Sequence, residues 1–309
     1  MAQTPIAGLS LRWESALAPG TADAVRALLG RSAAADGVAP VSEQAVLSLR
    51  DPDAGARHLL AELDGELTGY ANLVAAHGDH PAMAEATVDP SARGRGAGAA
   101  LVRAALAEGG AGARVWAHGD LPAARATAAG LGLVKARELW QMRRDLATPP
   151  LPELAPPADI VLRTYAGPAD DAEILRVNNA AFSWHPEQGG WTERDIAARR
   201  AESWFDPRGL FLAVDAQAPE RLLGFHWTKV HREEKPPVGE VYVVGVDPAA
   251  QGRGLGRLLT LAGLRHLRER GLGTVLLYTE ADNAAAVRTY THLGFATAHI
   301  DVAYATMGE

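Results

Sequence analysis

Apolar and polar positions along the chain change period in a fixed order, and that order occurs twice. Leu9-Ser10-Leu11-Arg12-Trp13 alternates as a short strand, and Thr21 is placed to cap a helix running to about Ala34. Alternating runs at 57–63 and 67–76 flank Asp64-Gly65, a pair suited to a two-residue hairpin. Met83 to Val88 reads as a further strand ended by Asp89-Pro90, since proline disfavours helix in the residue before it. The run Arg93-Gly94-Arg95-Gly96-Ala97-Gly98 leads into an alanine-rich helix ending near Glu108. A strand at 114–117, a helix at 122–129 and a long strand at 133–145 follow.

Residues 148–158 hold Pro149, Pro150, Pro152, Pro156 and Pro157 without an apolar period, which predicts an extended linker. Beyond it come a strand near 160, a helix over 170–181, and strands at 210–214, 221–230 and 240–246. A glycine loop, a helix to Arg270, a strand over 273–279, a helix over 283–292 and a strand over 296–304 close the chain. Val88-Asp89-Pro90 and Val246-Asp247-Pro248 lie 158 positions apart, as do the two glycine runs; Leu131-Gly132-Leu133 answers Leu293-Gly294-Phe295 after a small insertion. The expectation is two α/β units, each built on a mixed sheet, over residues 1–147 and 159–309.

At 309 residues with 48% apolar and 22% charged positions, the chain has material for two cores. A net charge of −7 argues against nucleic acid or an anionic membrane as partner. With no cysteine, disulfides, cysteine-based zinc sites and a cysteine nucleophile are excluded. Met1 to Ser15 carries no basic n-region followed by a long apolar run, and no eighteen-residue apolar stretch occurs. The expectation is a cytoplasmic monomer acting on a small molecule without a metal.

The most informative stretch is the strand Val241 to Val246, the stop at Asp247-Pro248, and the turn Gln251-Gly252-Arg253-Gly254-Leu255-Gly256-Arg257 opening an apolar-faced helix. Glycines let backbone N–H groups approach a ligand, and a helix start adds positive potential, which together suit a pyrophosphate. Arg253 and Arg257 can add charge-assisted contacts. A Rossmann fingerprint fails on spacing, because Arg257 and Leu259 stand where the third glycine would be. A P-loop fails because no lysine is present there.

Gln251 to Gly256 fits Q-x-x-G-x-G, and Asn283 to Phe295 fits N-x-x-A-x-x-x-Y-x-x-L-G-F. In both motifs, and in their order, the chain resembles the GCN5-related N-acetyltransferases. That resemblance implies acetyl-CoA as donor, held by Val244-Gly245-Val246, by Gln251 to Arg257 and by Asn283-Ala284-Ala285-Ala286-Val287-Arg288. Acetyl transfer needs a neutral amine, and an amine of pKa near ~8 is only about a tenth neutral at pH 7. Glu240, opening the strand into the loop, is the candidate base; otherwise it is a strand-start surface carboxylate. Tyr290, two helical turns past Asn283, is the candidate acid for the departing thiolate; otherwise it is a core tyrosine.

The first copy keeps Ala86-Thr87-Val88 and Gly94-Arg95-Gly96-Ala97-Gly98-Ala99, so it remains a candidate coenzyme site with smaller residues at Ala97 and Ala99. At the matched positions Ala82 replaces Glu240, Ala128 replaces Tyr290 and Leu121 replaces Asn283, so one active site per chain is expected. His226 and His231, five apart on a strand, face opposite sides and do not make a metal pair. Ser183, within Phe182 to Trp191, has no acid–base partner pattern, and that stretch suits a binding loop.

Further blocks narrow the resemblance: Asp36 to Gln44, Trp116 to Gly119, His185 to Thr192, Gly224 to His231, and Val302-Ala303-Tyr304. With the tandem arrangement they are similar to the mycothiol-forming branch of that family, which acetylates the cysteinyl amine of cysteinyl-glucosaminyl-inositol. The narrower resemblance implies acceptor contacts by Glu43, Glu187, Lys229, Glu240 and Tyr278. Glu43 would place the acceptor in a cleft between domains. Acetylation of another small amine, such as an aminoglycoside, and a non-catalytic acyl-CoA-sensing module are the competing readings.

Overall fold

The computed structural model describes residues 6–78, 80–183 and 188–307. The chain forms two compact units, one reaching to Leu139 and taking up Ile300 onward, the other spanning Trp140–His299. Among the described residues no helix is long and apolar enough to cross a membrane.

In chain order the first unit contains β1 (Leu9–Glu14), α1 (Pro19–Asp36), α2 (Glu43–Ser48), β2 (Ala56–Leu63), β3 (Glu66–Val74), β4 (Met83–Val88), α3 (Ala97–Gly109), β5 (Arg114–Ala117), α4 (Pro122–Gly130) and the start of β6 (Leu133–Asp145). Strands β1 to β4 pair antiparallel in sequence order, and β5 joins β4 in parallel. Asp64 and Gly65 turn the β2–β3 hairpin with φ of 53° and 86°, the left-handed values a primed turn requires. α1 opens with Pro19 in its first turn behind Ala18, which makes no side-chain cap, so the fixed φ of proline starts the helix earlier than Thr21 would. α2, which apolar periodicity did not predict, is capped by Ser42, whose Oγ accepts from the Ala45 N–H at 3.3 Å. On one sheet face Val102 of α3 packs with Ala84 and Val115, and Leu101 with Leu59, Ala61 and Ala71; Val25 and Leu29 of α1 pack with Leu60 and Tyr70 on the other.

The second unit adds β7 (Ile160–Thr164), α5 (Asp171–Ala181), α6 (Glu193–Ala201), β8 (Leu210–Asp215), β9 (Leu222–His231), β10 (Val238–Val246), α7 (Leu255–Glu269), β11 (Thr274–Glu280), α8 (Ala284–His292) and the start of β12 (Ala296–Thr306). Strands β7 to β10 pair antiparallel and β11 joins β10 in parallel, repeating the first unit's order. α7 buries Leu261, Leu264 and Leu267 against Val230, Val241, Val275 and Leu277. Each leucine so buried contributes about 1.5–3 kcal/mol of transfer free energy. Ile174 and Val177 of α5 and Ile196 of α6 cover the opposite face with Phe225, Trp227 and Val243. α6 also escaped the sequence reading, although Thr192 and Asp195 form its capping box.

Two stretches sit differently from the sequence expectation. Residues 148–158 are free of helix and strand, yet Leu151 is buried beside Leu146 in the second core, and Arg265 donates to the Pro152 carbonyl at 2.6 Å. Val302 to Ala305 pair antiparallel with Ala117 to Arg114, so the end of β12 completes the first unit's sheet. Alternation alone states that a strand forms, not which sheet edge it joins.

Candidate active site

The site is set by an irregularity in β10. Val246 pairs with Gly224 and Val243 with Trp227, but Val241 pairs with Thr228, so Tyr242 is an extra residue and the strand bulges there. One extra residue reverses the alternation: Val241 lies under α7, whereas Val243 faces α5 and α6. Glu240 therefore emerges on the face opposite α7, directly across from Lys229 and beside Leu276 of β11. It is 8% exposed, a carboxylate recessed into the sheet rather than a surface charge.

Lys229 holds its ammonium over the rings of Trp204 and Tyr242, at 5.2 and 5.7 Å. Tyr278, two residues past Leu276 and so on the same face, is 48% exposed, and its hydroxyl accepts from Gln141 Nε2 at 2.8 Å. Lys229, Glu240 and Tyr278 are thus gathered on one face, as their proposed roles require. Glu43 is the first residue of α2 in the other unit and exposed. Glu187 lies outside the described residues. Nearby, Asn178 and Asn179 tie the flanking backbone at Gln188 and Trp191.

Sequence reasoning missed His231. Its Nε2 is 2.7 Å from Glu240 Oε2, and its Nδ1 is 3.1 Å from Glu233 Oε1. The hydrogen bond to Glu240, followed by its charge, raises the imidazole pKa, with burial opposing. The signal was present as period two from Lys229 to His231 on the strand beside Glu240, but it needed the register to be read. His226 faces the other way, its Nδ1 against the Leu259 carbonyl at 2.8 Å, and burial pushes its pKa down to about 4.

Beyond Glu240 the ladder between β10 and β11 stops, while that between β10 and β9 continues to Val246. The edge of β10 at Val244, Gly245 and Val246 is therefore left open toward β11, as a ligand wedged between the strands requires. At its end Asp247 accepts from the Ala249 N–H at 2.9 Å and pairs with Arg176 at 2.7 Å, which fixes the turn. Gly252 and Gly254 take φ of 79° and 74°, and Gly254 caps α7. No atom lies within 4 Å of a Cβ built on Gly252, Gly254 or Gly256, leaving open space in front of the helix start. Arg257 is exposed, whereas Arg253 is paired with Asp159 at 2.7 Å. Asn283 caps α8 by accepting from the Ala286 N–H at 3.1 Å, so Ala284 to Arg288 form a second helix start.

Tyr290 packs its ring edge-on to Phe295 at 5.8 Å, against the α7 core. The ring is partly accessible, but its surroundings are apolar enough that burial pushes the phenol pKa up to about 12. Its hydroxyl has no hydrogen-bond partner among the described residues and stays protonated through the neutral range.

The first unit repeats the loop but not the candidate acid and base. Gly94 and Gly96 have φ of 76° and 90°, and Gly96 caps α3. Ala86, Thr87, Val88, Gly94, Gly96, Ala97, Gly98 and Ala99 all line one cavity of about 330 Å³; Arg95 does not. Ala128, Leu121 and His118 line it too. β4 has no bulge: from Gly69↔Val88 to Val74↔Met83 its pairing with β3 is continuous. Five positions from Gly69 is Val74, just as Lys229 is five from Gly224, so Met83 rather than Ala82 occupies the place of Glu240. Constant sequence spacing missed this because the bulge adds one residue to β10 alone. Glu85, on the same strand, accepts from the Ser42 N–H and, at 2.7 Å, from Ser42 Oγ. His118 lies 3.5 Å from both Glu85 and Asp301; burial works to lower its pKa, but Asp301 and Glu85 outweigh it and lift it to about 9.

The sequence profile of the Acetyltransferase (GNAT) family matches residues 25–132 and again 176–295. A mycothiol acetyltransferase from Nocardia farcinica is 78% identical over 300 residues, covering 97% of this chain and 99% of that one. Another from Rhodococcus jostii is 60% identical, covering 95% and 97%. Among solved structures, a GCN5-related N-acetyltransferase from Sphaerobacter thermophilus superposes with a TM-score of 0.71 at 22% identity, covering 97% of this chain and 96% of that chain. A tandem GNAT protein from the clavulanic acid biosynthesis pathway gives 0.65 at 21%, covering 97% and 99%. At such identities the structural likeness speaks to fold.

Proposed function

Because the chain belongs to the Acetyltransferase (GNAT) family, we propose that its second unit transfers the acetyl group of acetyl-CoA to the cysteinyl amine of cysteinyl-glucosaminyl-inositol, giving mycothiol and CoA. The observation that carries the chemistry is the recessed carboxylate of Glu240, turned by the β10 bulge onto the face it shares with Lys229 and Tyr278. The acceptor is supported by the names of relatives at 78% and 60% identity over nearly the whole chain.

Acetyl-CoA brings the thioester that is cleaved. The open helix starts at Gly254 and Asn283, with Arg257 beside the first, suit its phosphates, and the free edge of Val244 to Val246 offers N–H groups to a carbonyl oxygen. Glu240 takes a proton from the ammonium of the acceptor, freeing the lone pair that forms the new N–C bond as the C–S bond breaks. Tyr290 gives its proton to the thiolate and is reprotonated as the nitrogen sheds its second proton, leaving an amide and a thiol. A phenol at about 12 is a weak acid, but the same apolar surroundings also disfavour a thiolate, so the transfer is not correspondingly penalised. Lys229 and Tyr278 offer hydroxyl-binding groups to a sugar acceptor, and Glu43 and Glu187 remain assigned as acceptor contacts. The first unit holds coenzyme without turning it over.

Release of free CoA is the direct test, with the cysteinyl sugar, an aminoglycoside and simple α-amines as acceptors. Turnover is expected with the cysteinyl sugar alone. Glu240→Gln should lower kcat about 10²- to 10⁴-fold near neutral pH, the deficit shrinking as pH passes the pKa of the amine. Equal turnover of an aminoglycoside would overturn the acceptor assignment. Parent-like kcat of Glu240→Gln at about pH 6.5 to 7 would overturn the base.

A further inference from the structure

His231 and Glu233 belong to no coenzyme or acceptor contact assigned above, yet they end on the catalytic carboxylate. On β9, Lys229 is directly opposite Glu240, and His231 is the diagonal neighbour one step further along the same face. The imidazole reaches across so that Nε2 stands 2.7 Å from Glu240 Oε2 and Nδ1 stands 3.1 Å from Glu233 Oε1. An ionised carboxylate only accepts, so a ring between two of them donates from both nitrogens and is an imidazolium. Its side chain is 22% exposed and that of Glu240 10%, whereas that of Glu233 is 74% exposed.

Two nearby cations are engaged elsewhere. Lys229 lies over Trp204 and Tyr242. Arg199, from α6, donates to the Tyr242 hydroxyl at 3.1 Å and stacks its guanidinium over Trp191 at 3.9 Å. On the β11 side Glu240 meets Leu276, which carries no charge. Among the described residues, His231 is thus the partner that fixes this carboxylate, and it does so through one oxygen only.

We propose that His231 is a positioning residue for acetyl transfer: its N–H holds Oε2 of Glu240, so that Oε1 is the atom that removes the proton from the acceptor ammonium. The proton moves from the acceptor nitrogen to Oε1, and the imidazolium keeps both of its own. Glu233, anchored at the solvent edge, orients the ring from behind. This inference rests on Glu240 being the base, and its test separates the two claims.

The test is a double-mutant cycle on the full chain, measured as kcat with both substrates saturating, alongside melting curves. His231→Ala should lower kcat by up to about 100-fold, the cost of a misplaced reacting group, while the KM for acetyl-CoA stays put. His231→Gln, which offers an uncharged N–H near the Nε2 position, should recover most of the loss. In a Glu240→Gln background His231→Ala should cost nothing further, because the residue acts only through that carboxylate. A purely structural histidine would give losses that multiply in both backgrounds. Parent-like kcat in His231→Ala, or multiplicative losses, overturns the proposal while leaving the base intact; parent-like kcat in Glu240→Gln overturns the base itself. If His231→Ala does not fold, His231→Leu keeps the volume without the donor and takes its place in the cycle.

Discussion

The two units share strand order, glycine loop and Asp-Pro turn, and diverge beside that loop by one extra residue in one strand. In β10 the bulge at Tyr242 turns Glu240 onto the face away from α7, where His231 reaches it. In β4 the ladder runs without a bulge, Met83 stands at that place, and the nearby carboxylate of Glu85 is engaged by Ser42, the cap of α2, and by His118. Likewise Tyr290 packs against the α7 core of its own unit, where Ala128 borders an open cavity in the other. A duplicated fold can keep the part that binds while losing the part that reacts, because binding uses backbone and glycine whereas chemistry depends on single side chains. The glycine-loop geometry is present in both copies, and the proposed acid–base pair in one.

The sharpest way to break this comparison is to injure the two loops alike. At Gly254 a Cβ meets nothing within 4 Å, so Gly254→Asp places a carboxylate in the space in front of α7, with some strain from φ of 74°. Transfer should be abolished. Gly96→Asp meets Ile6 Cδ1 at 2.8 Å and has φ of 90°, so it should cost stability but leave kcat of the folded fraction near parent. Equal loss of turnover in two folded proteins, by steady-state assay and circular dichroism, would contradict a single reacting unit.

A smaller effect is expected from the phenol. Tyr290→Phe should lower kcat about 100-fold at neutral pH, with little change in acetyl-CoA binding. Adding Ala128→Tyr to that variant should restore nothing, since Met83 offers no base beside it. Recovery of turnover would mean that the first unit is closer to catalysis than its strand register implies.

The smallest effect concerns stability. His118 has a folded pKa of about 9 against 6.5 unperturbed, so its protonated form stabilises the first unit fully below about pH 6.5. That contribution fades as pH rises through about 9. His118→Ala should therefore lower the melting temperature by more at pH 6 than at pH 10, with kcat of the folded protein unchanged. A melting difference independent of pH would remove the ion cluster from the account.

Much of this protein was legible from order and spacing. Residues that act through their own backbone announce themselves: Asp64-Gly65, the Asp-Pro stops and the glycine runs demand particular φ values, and the structure has them. Helices with a broad apolar face, such as α7, follow from periodicity, and the repeat at 158 positions implies two units. Short capped helices such as α2 and α6 were missed because their stability comes from one or two side-chain bonds and from packing, not from a long apolar stripe. The tertiary structure alone decided three matters. It joined Val302 to Ala305 to β5, because a strand's edge is chosen by the partner it meets. It held Leu151 in the second core although its proline-rich surroundings read as linker. And it placed an extra residue at Tyr242, which reversed the side-chain alternation, made Met83 rather than Ala82 the counterpart of Glu240, and brought His231 to the carboxylate. Sequence fixes which residues are neighbours along a strand; hydrogen-bond register across strands fixes which side chains meet, and one inserted residue changes that for every residue beyond it.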